Sequence, residues 1–211
     1  MSASDPRILA FDTSAAHCAA ALFQGGRMLA HAREEMARGQ AERLMPMLEE
    51  VSGFEVDLLA VCVGPGNFTG IRIAVAAARG LALAKGIPAV GVSVLESLAP
   101  ESGEALVLAD ARQERLYAQM FRDGVAQADI RLTDADEIAE AAPQRWHVVG
   151  HRAEEIAERL AAPSFDVREV ADLAAIARIA ATRPDAPRPA PLYVRPPDAA
   201  LPSEPPPVIL P

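Results

Sequence analysis

The sequence predicts an α/β protein built on a mixed sheet in the order βββαβαβα, followed by a shortened second set of the same kind. Three observations carry this. Apolar runs at the start are joined by a Gly-Gly turn, a strand–loop–helix–strand succession fills the middle, and a second strand pair opens another alternating series near residue 104.

Taken in order, "RILAFDT" is a buried apolar run, and "HCAAALFQGGRMLAHARE" reads as two strands turning at Gln24-Gly25-Gly26. "ARGQAERLMPMLEEVSG" sets Ala37, Ala41, Leu44, Met45, Leu48 and Val51 at helical spacing, with Gly53 as the stop. Pro46 is expected to kink this helix or to sit in its first turn. "DLLAVCVG" is a short buried strand, "GPGNFTG" a loop, "IRIAVAAARGLALAKG" a helix, "PAVGV" a strand and "SVLESLA" a helical segment. The second set comprises "ALVLADARQERLYAQMF", two strands around an Asp-Ala-Arg turn, helical "DADEIAEAA", the strand "WHVVG", and helices near "RAEEIAERLAA" and "ADLAAIARIAAT". Predicted boundaries are 1–103, 104–183 and a Pro-rich tail, 184–211, which holds 11 of the chain's 18 prolines and is expected to wrap the surface or dangle.

At 211 residues the chain can bury one good core, and its 51% hydrophobic and 4% aromatic content calls for small aliphatic packing. There is no apolar run of membrane-spanning length and no basic-then-apolar leader in "MSASDPRILAFD", so a cytoplasmic protein is expected. Cys18 and Cys62 lie in apparent strands as small buried thiols, without a CxxC pair. A formal charge of −9 opposes autonomous binding to a phosphate backbone.

Chemistry has few places to sit. Gly64-Pro65-Gly66-Asn67-Phe68-Thr69-Gly70 leads from strand to helix, where free N–H groups receive an anion or, alternatively, Thr69 or Asn67 caps the helix. The loop lacks the Lys of a P-loop and the glycine spacing of a dinucleotide fingerprint. Asp12-Thr13-Ser14 ends the first strand, and Asp110-Ala111-Arg112 holds the corresponding turn in the second half. Two acidic strand ends facing one cleft would make a split nucleotide site; turn-capping aspartates are the plainer alternative. His17, His31, His147 and His151 are too scattered for zinc, and Ser14, His17 and Asp110 have no G-x-S-x-G elbow to support a triad. The helix Ile71 to Lys85 is interrupted only by Arg72, Arg79 and Lys85, so it needs cover on both sides, from a second chain or from this chain's own second half.

The stretches "ILAFDTS", "ERLMPMLEEV", "GPGNFTGIRIAVAAARGLA", "GVSVLESLA", "DARQERLYAQMF" and "PLYVRPPDA" together resemble the TsaB family, also called YeaZ. The resemblance implies an actin-like ATPase (ribonuclease H-like) fold with a reduced second half. It further implies a non-catalytic partner subunit in forming threonylcarbamoyladenosine at position 37 of tRNAs that read codons starting with adenine. Such a subunit binds the TsaD transferase through the two helices after the meander, works with TsaE, forms a homodimer when alone, and meets tRNA only indirectly. The implied partner-binding residues are Leu44, Met45, Leu48, Arg72, Val75, Ala76 and Arg79. Asp12, Thr13, Ser14, Gly64, Gly66 and Asp110 become a vestigial nucleotide site. No metal or cofactor is implied, with nucleotide confined to the subunit interface, and the family's frequent histidine is here Gln40. An autonomous nucleotide-dependent enzyme and an M22-type glycoprotease are the competing readings.

Overall fold

The computed structural model describes residues 5–142 and 145–194. In β1 (Arg7–Asp12) side chains alternate between faces: Leu9 and Phe11 enter one core layer, Ile8 and Ala10 another. β2 (His17–Gln24) pairs antiparallel with β1 and turns through Gly25-Gly26, φ 55° and 75°, into β3 (Arg27–Glu35). Positive φ at both turn residues matches the twist of a two-residue hairpin.

α1 (Gln40–Ser52) begins three residues later than the spacing from Ala37 predicts, because left-handed Gly39, φ 92°, precedes it. Pro46 lies in the middle of this helix, on its exposed side, and not in its first turn. Leu44, Met47, Leu48 and Val51 point inward, whereas Met45 is exposed. Two helical phases fit the apolar spacing, and packing against the sheet selects the one containing Met47.

β4 (Leu58–Cys62) adds parallel to β1, α2 (Phe68–Lys85) follows, and β5 (Ala89–Val92) adds parallel to β4. The first sheet therefore runs β3-β2-β1-β4-β5. α3 (Val94–Leu98) closes this half with a capping box between Ser93 and Glu96.

The second half repeats the order with β6 (Glu104–Asp110), β7 (Leu116–Arg122), β8 (Val125–Ala126), an added β9 (Arg131–Thr133), α4 (Ala135–Ala141), β10 (His147–Gly150), α5 (Ala153–Leu160), β11 (Phe165–Asp166) and α6 (Leu173–Ala181). Its sheet, β11-β10-β6-β7-β8, has the same topology as the first, with β9 also on β7. The repeat expected from the sequence is thus present, and its elements are shorter than their first-half counterparts except β6 and α6.

The core has three apolar layers, of which the middle one joins the halves. α1 and α2 cover one face of the first sheet, and α4 and α5 cover the far face of the second. Between the sheets, Ile8, Phe23, Val92, Val107, Phe121 and Ile176 form a common core with α3 and α6. α6 belongs to the second half in sequence but packs on β1, β2, β4 and β5 of the first sheet. Among the described residues of the Pro-rich tail, 184–194 form no helix or strand and lie over the ends of β4 and β5, where the Leu192 amide donates to the Val63 carbonyl at 2.9 Å. The "RPPDA" stretch and the rest of the tail lie outside the described residues.

Candidate functional site

A cavity of about 820 Å³ opens between the two halves. Its walls include Ser14, Gly66, Asn67 and Thr69 from the first half, Asp110 and Arg112 from the second, and Leu192 and Tyr193 from the tail. The fold therefore brings together the two acidic strand ends and the glycine loop that the sequence picks out. Asp12, Thr13 and Gly64 lie buried behind this wall.

Each first-half group is already engaged. Asp12 accepts the Ser14 amide at 2.7 Å on Oδ1 and His17 Nε2 at 2.8 Å on Oδ2. Burial opposes the charge of Asp12, but the His17 bond and charge, with Ser14, outweigh it and hold the carboxyl below its ordinary value. Thr13 Oγ1 donates to the Gly70 carbonyl at 2.7 Å, and the Ser14 carbonyl accepts the Asn67 amide at 2.6 Å. A Cβ at Gly70 would overlap the Thr13 carbonyl oxygen, and one at Gly66 would overlap that of Ser14. These glycines let two backbones touch.

At the start of α2, Asn67 Oδ1 accepts the Thr69 and Gly70 amides at 3.0 and 3.1 Å. Asn67, rather than Thr69, is thus the cap, and it takes the donors that a phosphate would need. In the second half, Asp110 accepts the Arg112 amide at 2.7 Å in an equivalent turn but is exposed. Of the groups a nucleotide could use here, the Thr69 and Gly70 amides are capped by Asn67 and Asp12 is paired with His17.

Other candidates resolve as simply. His17 faces Asp12, Ser14 Oγ accepts the Cys62 thiol at 3.6 Å, and Asp110 bonds Arg112, so these residues form no triad. Burial pushes the Cys18 thiol up to about 11 and that of Cys62 well above its usual value, which makes both poor nucleophiles. The Gln40 amide donates to the Met36 carbonyl at 3.0 Å. Among the described residues no three His, Cys, Asp or Glu side chains gather as a metal site.

The outer face of α2 is different. Arg72, Ala76, Arg79, Gly80 and Leu83 form one exposed stripe, and Leu83 is 82% exposed. Of the residues assigned to partner binding, Met45, Arg72, Ala76 and Arg79 are on the surface. Leu44, Leu48 and Val75 are at most 2% exposed and hold α1 and α2 to the sheet, so they shape the helix face from beneath without offering themselves to a partner. Arg72 lies with its guanidinium carbon 3.8 Å from the Phe68 ring centroid and donates from Nε to the Tyr193 hydroxyl at 2.7 Å.

The family model described as TsaD, tRNA N6-adenosine threonylcarbamoyltransferase, matches residues 32–181. This chain belongs to the TsaD family, on its TsaB (YeaZ) side. The tRNA threonylcarbamoyladenosine biosynthesis protein TsaB of Escherichia coli is 38% identical over 130 residues, covering 56% of each chain. The protein of the same name from Haemophilus influenzae is 34% identical over 131 residues, 56% of this chain and 55% of that one. The chain thus matches about half the length of these curated relatives.

The solved structure of YeaZ from Pseudomonas aeruginosa superposes with a TM-score of 0.71 at 26% identity, covering 89% of this chain and 99% of that one. A ROK hexokinase from Thermus thermophilus shares the fold alone, with a TM-score of 0.52 at 12% identity over 82% of this chain and 97% of the other. The α/β architecture, two mixed-sheet halves about a cleft, is shared with both of these structures. Among the described residues no helix is long and apolar enough to cross a membrane.

Sequence reasoning missed Met47, Leu83, Phe68 and Tyr193. A signal for Leu83 was present, since it continues the Arg72, Ala76, Arg79 spacing. None pointed from Phe68 to Tyr193, 125 residues away in the chain.

Proposed function

We propose that this chain is a non-catalytic partner subunit in forming threonylcarbamoyladenosine at position 37 of tRNAs reading codons that begin with adenine. It docks TsaD through the outer face of α1 and α2, in an assembly with TsaE. The curated relatives' role in threonylcarbamoyladenosine biosynthesis supports the pathway. One observation carries the docking: the α2 stripe exposes Leu83 and makes no ion pair among the described residues.

Charge supports the same face. α1 turns Glu42, Met45, Pro46 and Glu49 outward, and the two carboxylates are seven residues apart, as are Arg72 and Arg79 on α2. Seven residues is about 10.5 Å along a helix, so two copies related by a two-fold axis can match acids to bases when TsaD is absent. With a net charge of −9, contact with tRNA falls to the partners, and the capped loops support a chain with no nucleotide of its own outside a subunit interface.

Size measurement of the chain alone, with TsaD, and with TsaD and TsaE tests this reading. Wild type forms the complex and supports modification, and Leu83→Asp folds but does neither. Absence of any complex with TsaD sinks the proposal. The cleft itself favours a second reading, an autonomous nucleotide-dependent enzyme. Tight ATP binding and turnover by the isolated chain, lost in Asp12→Asn, would put that reading in its place.

A further inference from the structure

We infer that Arg72 is a preset receptor for a carboxylate on the protein that docks against α2, and that Tyr193 is the residue that positions it. This rests on the docking reading above and adds the chemistry of the contact.

Arg72 is held on two sides. Its guanidinium lies over Phe68 at 3.8 Å, the Phe68 and Tyr193 rings stack with centroids 4.7 Å apart, and Arg72 Nε donates to the Tyr193 hydroxyl at 2.7 Å. Nη1 and Nη2 have no partner among the described residues, whereas Arg43, Arg152 and Arg159 are each tied to carboxylates of this chain. The fork is therefore oriented by aromatic groups that leave its charge unneutralised. An arginine already fixed in one geometry loses less freedom when it binds, and its open edge matches a planar carboxylate through two parallel N–H···O bonds.

Tyr193 arrives on a docked segment. Leu192 bonds the Val63 carbonyl and packs into the layer beneath α2, and Pro189 lies against Gly91. The tail thus sets the first turn of the exposed helix. Carboxylate is favoured over RNA phosphate by the surroundings: Asp110 and Glu169 line the neighbouring cleft, Ala76 and Leu83 share the stripe, and the chain carries a net charge of −9. Binding to a phosphate backbone draws on many cations, and here one arginine is poised beside apolar surface.

The test is calorimetric binding of the full-length chain to purified TsaD from the same organism, with Leu83→Asp as the docking control. Arg72→Lys weakens the complex roughly tenfold or more, because an ammonium cannot reproduce the fork. Tyr193→Phe weakens it several-fold, and the double variant binds about as Arg72→Lys alone, as expected for residues acting as one unit. In the free chain, exchange of the Arg72 Nε–H measured by NMR is slowed in wild type and fast in Tyr193→Phe. If Leu83→Asp abolishes the complex while Arg72→Lys stays within twofold of wild type, the receptor role is overturned and docking stands. If wild type forms no complex, both fall. If Arg72→Ala chiefly lowers retention of bare tRNA by the free chain, the anion is phosphate and the inference is overturned.

Discussion

α2 and α5 occupy equivalent places in the two halves, each following the second parallel strand, yet they meet solvent in opposite ways. α5 is eight residues long, and the arginines at its two ends are paired at home: Arg152 and Arg159 both pair with Glu155, and Arg159 reaches Asp136 on α4. α2 is 18 residues long, has a mostly apolar inner side, and turns outward a stripe with Leu83 exposed and Arg72 and Arg79 unpaired with any described carboxylate. The same topology has been trimmed and satisfied in one copy and left open in the other. Three ion pairs tie down the arginines of one helix, and none does so for the other among the described residues.

The largest effects separate the inner side of this face from its outer side. Leu48→Asp places an uncompensated charge beneath α1 at a site that is 0% exposed, and costs roughly 4 kcal/mol or more, enough to unfold the chain. Leu83→Asp, eight-tenths exposed, changes stability by no more than about 0.5 kcal/mol while removing association. Thermal melts of both variants beside size measurements check the pair; a stable, monomeric Leu48→Asp would show that the inner and outer sides have been assigned in reverse.

Next in size is the contrast between the two strand-end aspartates. Asp12→Asn breaks a buried pair with His17 and costs about 3 kcal/mol, whereas Asp110→Asn, in an exposed turn, costs about 0.5 kcal/mol or less. The pH dependence follows from the sign of the shift. The folded carboxyl titrates below its unfolded value, so its contribution is complete above about pH 4 and is lost as the pH falls further through the lower folded value. Urea melts at pH 7 and pH 3 therefore show a gap between wild type and Asp12→Asn that narrows in acid. A gap that widens in acid would contradict the pairing.

Much of this architecture was legible because the strands carry their own signals. Alternation in β1, the Gly25-Gly26 hairpin and the long small-residue run of α2 each read locally, and the repeat followed from their order. The cleft was legible to the same degree: both acidic turns and the glycine loop were found, although their use as mutual caps depends on contacts between residues 12–14 and 66–70. Which residues of α1 face inward was not legible, because Met45 and Met47 satisfy the same apolar spacing and only the sheet chooses between them. Nor was the placement of α6, whose Leu-Ala-Ala-Ile pattern asks for cover without naming the sheet. Proline content foretold that 184–194 would be irregular but not that Tyr193 would stack on Phe68, since that contact depends on where the folded surface passes.

The smallest expected effect compares the connections between the first two strands of each half. From Thr13 to Ala16 no residue has positive φ, whereas Arg112, Gln113 and Glu114 stand in succession at φ 60°, 51° and 59°. The second turn is a left-handed loop closed by the Arg115 amide on the Arg112 carbonyl at 3.0 Å and by the Ala111 amide on the Arg115 carbonyl at 3.0 Å. A side chain in this region costs roughly 1 kcal/mol or more per residue, and glycine escapes that penalty. Glu114 also makes a 3.3 Å ion pair with Arg152 at a side chain that is 91% exposed, which contributes little in water. Glu114→Gly therefore stabilises the chain by about 0.5 to 1 kcal/mol, raising the urea midpoint without altering the slope. Gln113→Gly, with no ion pair to lose, does at least as well, and a lowered midpoint in both variants would mean that the turn is held by its side chains and not strained by them.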